Sequence, residues 1–400
     1  MTSVPPIARP DSGSLPTQPA TAEPPFGVNE VRLSARQWLV TFGIVLACAL
    51  AIPRLGKRAE PFPTGPDYRI PYALSSDYWL YQRRLEQDAG PGKILVLGDS
   101  VVWGEYVRRD GTLSHFLNQQ NGGPDRFVNC GVNGLFPLAM EGLVTDYGRS
   151  IRGRKVIVHC NLLWLTSPKA DLSASQQESF NHSQLVPQFT PRVPSYRADA
   201  NTRISATLAR HVEYLAWTDH LQNAYYGQRS LPQWTLAEDG GDPPAHPNAW
   251  RNPLAPLRGG IPQEAPRDPA RGPESHRHKR WDAGGGEPAH FDWVNLDNSL
   301  QWGGFRRVIQ VLRSRGNDVL VVVGPFNEHM IAVDQRPTYR TLREGVTSWL
   351  KSNNVHAITP ETLPTEFYAD ASHPLTEGYE VLGRRLFEDM SFRAWVSSAP

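Results

Sequence analysis

Lys93-Ile94-Leu95-Val96-Leu97-Gly98-Asp99-Ser100-Val101-Val102-Trp103 is the stretch whose reading decides the fold. Four apolar residues in a row follow the Pro91-Gly92 punctuation. Such a run, without polar alternation, reads as a strand buried on both faces, the kind that parallel sheets use. Gly98 breaks the run, and Asp99 and Ser100 stand where the backbone must turn toward a helix. A serine there has an exposed hydroxyl and an N–H pointing into the crevice outside the carboxyl end of the strand, where open α/β sheets bind ligands. Gly-Asp-Ser is equally a good turn tripeptide with no chemistry attached. The partners supplied by the rest of the chain decide between the two.

Working outward, strand and helix alternate. Thr112 to Gln120 reads as a helix, Arg126 to Cys130 as a second strand, Leu138 to Ile151 as a helix and Lys155 to Cys160 as a third strand ended by Asn161. The pattern stops there. Residues 166–297 form a long insertion, with a helix expected over Arg203 to Gln222 and a low-complexity loop over 238–290 rich in Gly, Pro, His and charge. His276-Arg-His278-Lys-Arg280 inside that loop reads as a solvated charge run before it reads as a metal or polyanion site. Alternation resumes with Asn298 to Arg315 (helix), Asp318 to Val323 (strand), Pro337 to Ser352 (helix), Val355 to Thr359 (strand) and Pro374 to Met390 (helix). Both of the last two helices are expected to open on proline, whose missing donor costs nothing there. Five strands separated by helices predict one doubly wound α/β domain with a parallel sheet, split into 93–165 and 298–400 by the insertion.

The N-terminal end is different in kind. Residues 1–35 are rich in Pro, Ser, Thr and Ala and read as a disordered tail. Residues 36–53 hold an uncharged apolar segment, Trp38 to Ile52, flanked by Arg32 and Arg36 before it and Arg54, Lys57 and Arg58 after it. About 15 residues is short of the roughly 20 that a full span needs, so an export signal or a membrane anchor is expected. Ala49-Leu50-Ala51 offers a small-x-small cleavage site, and Val45-Leu-Ala-Cys48 loosely resembles a lipoprotein box. Residues 54–92 read as linker and lead-in, with a short amphipathic piece over Asp77 to Leu85.

Composition excludes several classes of function. A net charge of +1 offers no field for nucleic acid. Cys48, Cys130 and Cys160 make neither a disulfide framework nor a metal motif. The glycines at Gly131 and Gly134 lack the Gly-x-Gly-x-x-Gly spacing and the acidic residue of a dinucleotide turn, so no metal, nucleotide, flavin or other cofactor is expected.

Unusual residues gather at the predicted strand ends: Asp99-Ser100, Asn129-Cys-Gly131-Val-Asn-Gly134, Asn161, and Asp370-Ala-Ser-His373-Pro374. A catalytic serine needs a base within hydrogen-bond reach and a third group to orient that base. Asp370, three residues before His373 on one turn, can bring its carboxylate to the ring Nδ1–H and leave Nε2 to take the Ser100 proton. Gly134 can offer a close backbone N–H and Asn161 a side-chain amide, which with the Ser100 N–H make a three-donor oxyanion hole. Locally, Asp370 also reads as a helix cap, His373 as a surface histidine, Gly134 as a turn glycine and Asn161 as a loop cap.

At these residues the chain resembles the SGNH/GDSL hydrolase family, over roughly Lys93 to Phe387 without the insertion. Gly98-Asp99-Ser100 is similar to the first block with Ser100 as nucleophile, Gly134 to the second-block glycine, Asn161 to the third-block asparagine, and Asp370-x-x-His373 to the fifth block. The third block departs from Gly-x-Asn-Asp and reads His159-Cys160-Asn161-Leu162. The resemblance implies a three-layer α/β/α, flavodoxin-like fold and acyl-ester hydrolysis or transfer through a Ser-His-Asp acyl-enzyme. For an exported or anchored member it implies O-acetyl groups of cell-surface carbohydrate as substrate. Asp99 is then a turn former, not a triad member. Trp164 and Asn327, the latter within Phe326-Asn327-Glu328-His329, are expected at the site mouth as substrate contacts. Trp217, Tyr225, Tyr226, Trp234 and Trp250 either stack on sugar rings or form the insertion's own small core. A catalytically degenerate, membrane-anchored binding protein is the competing expectation.

Overall fold

The computed structural model describes residues 33–225 and 278–398, apart from positions 61, 63, 66, 89, 91 and 124. The N-terminal tail before residue 33 and most of the loop over 238–290 therefore lie outside the described residues. The chain divides into two units, residues 1–49 and 50–400. Helix α1, Ala35–Ala59, begins in the first and ends in the second. It is 25 residues long, with a mean hydropathy of 2.0 over its most apolar window, longer than the apolar run because the basic residues Arg54, Lys57 and Arg58 continue it. Trp38, Leu39, Val40, Phe42, Ile44, Val45, Leu46 and Leu50 are all exposed on it. At 1.5 Å per residue such a helix is about 37 Å long, enough to cross a hydrocarbon core of about 30 Å.

In the second unit, β1 (Ile94–Gly98), β2 (Phe127–Gly131), β3 (Lys155–Cys160), β4 (Asp318–Val323) and β5 (His356–Ile358) form one all-parallel sheet in the order β2-β1-β3-β4-β5. That is the flavodoxin-like order, whose switch point lies between β1 and β3. Successive side chains alternate between faces. Leu95, Leu97, Val156, Val158, Val321 and Val323 enter one core. Ile94, Val96, Ile157, Leu320 and Val322 enter the other. Because both faces are covered, the strands show no polar alternation, and this is why the apolar run at Ile94 to Leu97 could be read as a parallel strand.

The described helices of this domain are α2 (Tyr78–Gln87), α3 (Ser100–Trp103), α4 (Leu113–Gln120), α5 (Pro137–Gly142), α6 (Ala200–His211), α7 (Glu213–Ala224), α8 (Leu300–Ser314), α9 (Arg336–Ser352), α10 (Thr376–Glu388) and α11 (Met390–Ser397). Side-chain caps start several of them: Asp77 accepts from Leu80 N–H, Thr112 from His115 N–H and Ser299 from Trp302 N–H. Three expectations change. The helix expected over Leu138 to Ile151 is α5 followed by a π-helical turn, Leu143–Tyr147. The one expected over Arg203 to Gln222 is two helices, broken at Val212, whose backbone is extended. Pro374 does not open α10 but bridges to Tyr368, and the helix starts at Thr376.

The lead-in and the insertion belong to the same core as the sheet. Tyr68, Ile70, Leu74, Trp79, Leu80 and Leu85 from the former, and Leu172, Leu185, Val186, Val193 and Tyr196 from the latter, are buried in one cluster with Leu95 and Val158. A buried polar knot ties the two together. His220 of α7 is 1% exposed, with Nδ1 2.7 Å from Asp77 Oδ2 and Nε2 3.0 Å from Glu60 Oε1. Its ring stacks on Trp79 at 4.3 Å. Arg83 and the Tyr225 hydroxyl also bond to Glu60. Burial alone would lower the His220 pKa, but Asp77 and Glu60 outweigh it and raise the value to about 9, so the ring is an imidazolium held between two carboxylates.

Candidate active site

Ser100 is the first residue of α3, directly after β1. Asp99 caps that helix by accepting the Val101 N–H at 3.0 Å, which turns Ser100 into the switch-point crevice. From the other half of the chain, residues 370–373 form a tight turn. Asp370 Oδ1 accepts the backbone N–H groups of Ser372 (2.8 Å) and His373 (2.9 Å). The same carboxylate lies 2.8 and 2.7 Å from His373 Nδ1, and His373 Nε2 lies 2.8 Å from Ser100 Oγ. With Nδ1–H donated to Asp370, Nε2 is the acceptor for the serine hydroxyl. Burial pushes the Asp370 carboxyl up, but the hydrogen bond and charge of His373 and the two backbone donors hold it below its ordinary value. It stays ionised, as the orienting group of such a chain requires. Ser100 and His373 are themselves 7% and 6% exposed.

The turn after β2 brings Gly134 to the same end of the sheet with φ +72°, a backbone conformation for which a Cβ is costly. A Cβ would also lie 2.3 Å from Asn181 Nδ2. Among the described residues neither the Ser100 nor the Gly134 backbone N–H has an acceptor. The Asn133-Gly134 turn is held from the insertion, where His182 Nε2 donates to the Asn133 carbonyl (2.7 Å) while its Nδ1 accepts from Tyr78 Oη (3.0 Å). Burial lowers the His182 pKa, which suits a neutral ring with one donor and one acceptor.

Asn161 follows β3 as expected, but its amide Nδ2 donates to Asp99 Oδ2 at 2.8 Å and its Oδ1 accepts from Leu163 N–H. One amide hydrogen is thus committed to Asp99, and the other remains for an acceptor in the crevice. Asp99 is more than a turn former. It is fully buried, and its Oδ2 also accepts Trp164 Nε1–H at 3.0 Å. His159 Nδ1 stands 3.6 Å from its Oδ1, an ion-pair distance when the ring is protonated, while His159 Nε2 bonds to the Gly324 carbonyl at 3.1 Å. Burial raises the Asp99 pKa, and His159, Asn161 and the charge on His373 outweigh this and lower it. A buried carboxylate therefore sits beneath the serine. Its attraction for positive charge on His373 supplements that of Asp370.

Two expected substrate contacts do other work. Trp164 is 2% exposed and its indole N–H is committed to Asp99, so it lies under the site. Asn327 is fully buried: its Nδ2 donates to the Asp370 carbonyl (3.1 Å) and its backbone N–H to the Ala371 carbonyl (2.9 Å). It holds the turn that carries Asp370 and His373. Phe326 is a core residue, Glu328 pairs with Arg343 at 2.5 Å, and His329 bonds to the Leu363 carbonyl. Of the insertion aromatics, Trp217 is half-buried against the core and Tyr225 is buried with its hydroxyl on Glu60. Both take the core role, not the sugar-stacking one. Tyr226, Trp234 and Trp250 lie outside the described residues.

Sequence reading passed over Tyr106. Its φ is +67°, unusual for a residue with a side chain, and its ring meets the His373 ring edge-on at 5.3 Å. Burial, then the charge of Asp370 and a hydrogen bond to it, raise the phenol pKa, so the hydroxyl stays a donor to the Asp370 carboxylate. Nothing in the sequence marks this tyrosine, because its backbone strain and its neighbour 264 positions on are tertiary facts. Among the described residues no three His, Cys, Asp or Glu side chains stand together as a metal site.

No family model matches the chain, and no curated protein matches it in sequence. Among solved structures it is similar to a candidate lipolytic protein of the G-D-S-L family from Desulfitobacterium hafniense DCB-2. The two are 11% identical, with a TM-score of 0.33, over 76% of this chain and 99% of that one.

Proposed function

We propose that this protein is a serine-dependent acyl-ester enzyme, an esterase or O-acyltransferase held at the outer face of a membrane by α1 and acting on O-acyl groups of cell-surface carbohydrate. The observation that carries the reading is the hydrogen-bonded chain Ser100 Oγ–His373 Nε2 and His373 Nδ1–Asp370, with distances of 2.7–2.8 Å. His373 Nε2 takes the hydroxyl proton as Ser100 Oγ bonds to the ester carbonyl carbon. The carbonyl oxygen becomes an oxyanion received by the N–H groups of Ser100 and Gly134 and the remaining Asn161 amide hydrogen. The C–O bond to the alcohol then breaks, and the leaving oxygen takes the proton back from Nε2. The acyl group stays on Ser100 until water (hydrolysis) or a sugar hydroxyl (transfer) attacks it by the same route. The exposed apolar side chains of α1 support the anchor.

A fluorophosphonate probe tests the reading, because only an activated serine reacts. Stoichiometric labelling at Ser100 at neutral pH is expected, together with acyl release from an aryl ester. A folded protein that takes no label would select the competing reading, a binding module on the same scaffold. The observation favouring that reading is the commitment of the Asn161 amide to Asp99.

Gly134→Ala probes the oxyanion side. The substitution puts a Cβ at φ +72° and against Asn181, a strain of about 1–2 kcal/mol that the turn relieves by moving its N–H. The loss of one such donor lowers kcat by about 10²–10³. Adding Asn181→Ala should not restore the rate, since it relieves the contact with the Asn181 amide but not the φ penalty. Unchanged kcat in Gly134→Ala would exclude this N–H as a donor.

A further inference from the structure

We propose that the cleft beside Gly134 is the acyl pocket and that it takes an alkyl acyl group longer than acetyl. This inference rests on the serine-enzyme reading above and names the acyl class of its substrate. The cleft has a volume of about 290 Å³ and Gly134 stands on its lip. Phe136 and Ala139 of the β2–α5 segment form one wall, and Leu172, Phe180 and Val186 of the insertion form the other.

Two features point to an alkyl occupant. First, the polar group buried in its lining is already satisfied. Gln301 is fully buried, its Oε1 accepts the Leu138 N–H at 3.0 Å and its Nε2 donates to the Ala170 carbonyl at 3.2 Å. At the rim Lys169 pairs with Glu178 at 3.1 Å. A polar ligand would find few open partners inside, whereas an alkyl chain loses none by entering. Second, the reaction geometry separates the two halves of an ester. The leaving alcohol must lie within reach of His373 Nε2. On that side the Tyr106 ring, which contacts the His373 ring, lines a different cavity of about 230 Å³ together with Arg280, Glu366 and Glu377 and the apolar Phe367 and Leu375. Its charged groups offer a hydroxylated alcohol partners that the cleft beside Gly134 does not. The carbonyl oxygen lies at the Gly134 N–H, so the acyl carbons begin next to the glycine that opens the apolar cleft. An acetyl group ends at its methyl and leaves that cleft empty. A chain of several methylenes continues into it.

The test uses the full-length protein in detergent and p-nitrophenyl esters from acetate to octanoate. From acetate to hexanoate, kcat/KM is expected to rise about fourfold per methylene, the transfer free energy of one buried CH₂. Ser179→Trp, at an exposed rim position of the cleft, should leave acetate within about twofold and lower hexanoate at least tenfold. Ala170→Phe, elsewhere in the lining, should do the same, so a folding defect in either variant does not decide the matter. Ser100 labelling separates two failures. A labelled enzyme with a flat chain-length profile, or one whose profile both variants leave unchanged, overturns the acyl pocket alone. A well-folded protein that takes no label overturns the serine reading beneath it.

Discussion

Ser100→Ala is expected to lower kcat for ester turnover by a factor on the order of 10⁴–10⁶ while leaving stability within about 1 kcal/mol. The loss is large because the alanine leaves nothing for the acyl group to bond to, whereas removing one oxyanion donor leaves the nucleophile in place. Stability changes little because, among the described residues, Ser100 Oγ is used by His373 Nε2 alone, and α3 keeps its cap through Asp99 and Val101 N–H. His373→Ala added to Ser100→Ala should cost almost nothing more, since the two act as one unit and such losses are not additive. The measurement is kcat on an aryl ester with thermal unfolding as the control. A variant that folds normally and turns over within tenfold of the parent would remove Ser100 from the mechanism.

His220→Gln should be strongly destabilising, by about 3–5 kcal/mol. It takes the cation from beside the buried Asp77, which loses its counter-charge, while Glu60 keeps only Arg83 and the Tyr225 hydroxyl. The pH dependence follows from the same pair. With a folded-state value of about 9 against an ordinary histidine value of 6.5, the ring is protonated in folded and unfolded chains alike below 6.5, and the ion pair contributes fully there. Between 6.5 and 9 the unfolded chain releases its proton first, so the contribution shrinks. Above about 9 it is gone, a total on the order of 3 kcal/mol. Glu60 runs the other way. Burial raises its pKa, but His220, Tyr225 and Arg83 lower it below 4.5, so its share is present above that value and is lost as pH falls through the lowered one. Urea denaturation at pH 6 and pH 9.5 checks the alkaline statement, and a further series below pH 4.5 checks the acid one. The parent should lose stability on the alkaline side, and His220→Gln should show a flatter alkaline limb. An equal alkaline loss in both proteins would place the titrating group elsewhere.

The stretches that could be read directly are those whose chemistry is local. Lys93 to Ser100 shows a doubly buried strand because a parallel strand covered on both faces cannot alternate. Asp370 and His373 lie three residues apart, so one turn suffices to bring carboxylate and ring together, whatever packs around it. The succession of parallel strands along the chain followed from apolar runs separated by helical spacings, and the end of each strand marked where Ser100, Gly134 and Asn161 would stand.

Other assignments depended on what lies across the sheet, and no spacing encodes that. Trp164 and Asn327 were placed correctly along the chain but wrongly in role. A tryptophan or asparagine after a strand can face the crevice or the core, and the partner that draws it inward, Asp99 for one and the 370–371 backbone for the other, is distant in sequence. Asp99 looked like a turn residue because capping is local, whereas its contacts with His159, Asn161 and Trp164 come from the neighbouring β3 end. His159 faces the Asp99 carboxylate from the strand next to β1. Tyr106, His182 and His220 left no mark in the sequence for the same reason. Pattern reports which face of an element is apolar, and so it yields strands, turns and the residues at their ends. Which polar groups meet inside is settled only when segments far apart in the chain are packed together and each buried donor and acceptor must find a partner.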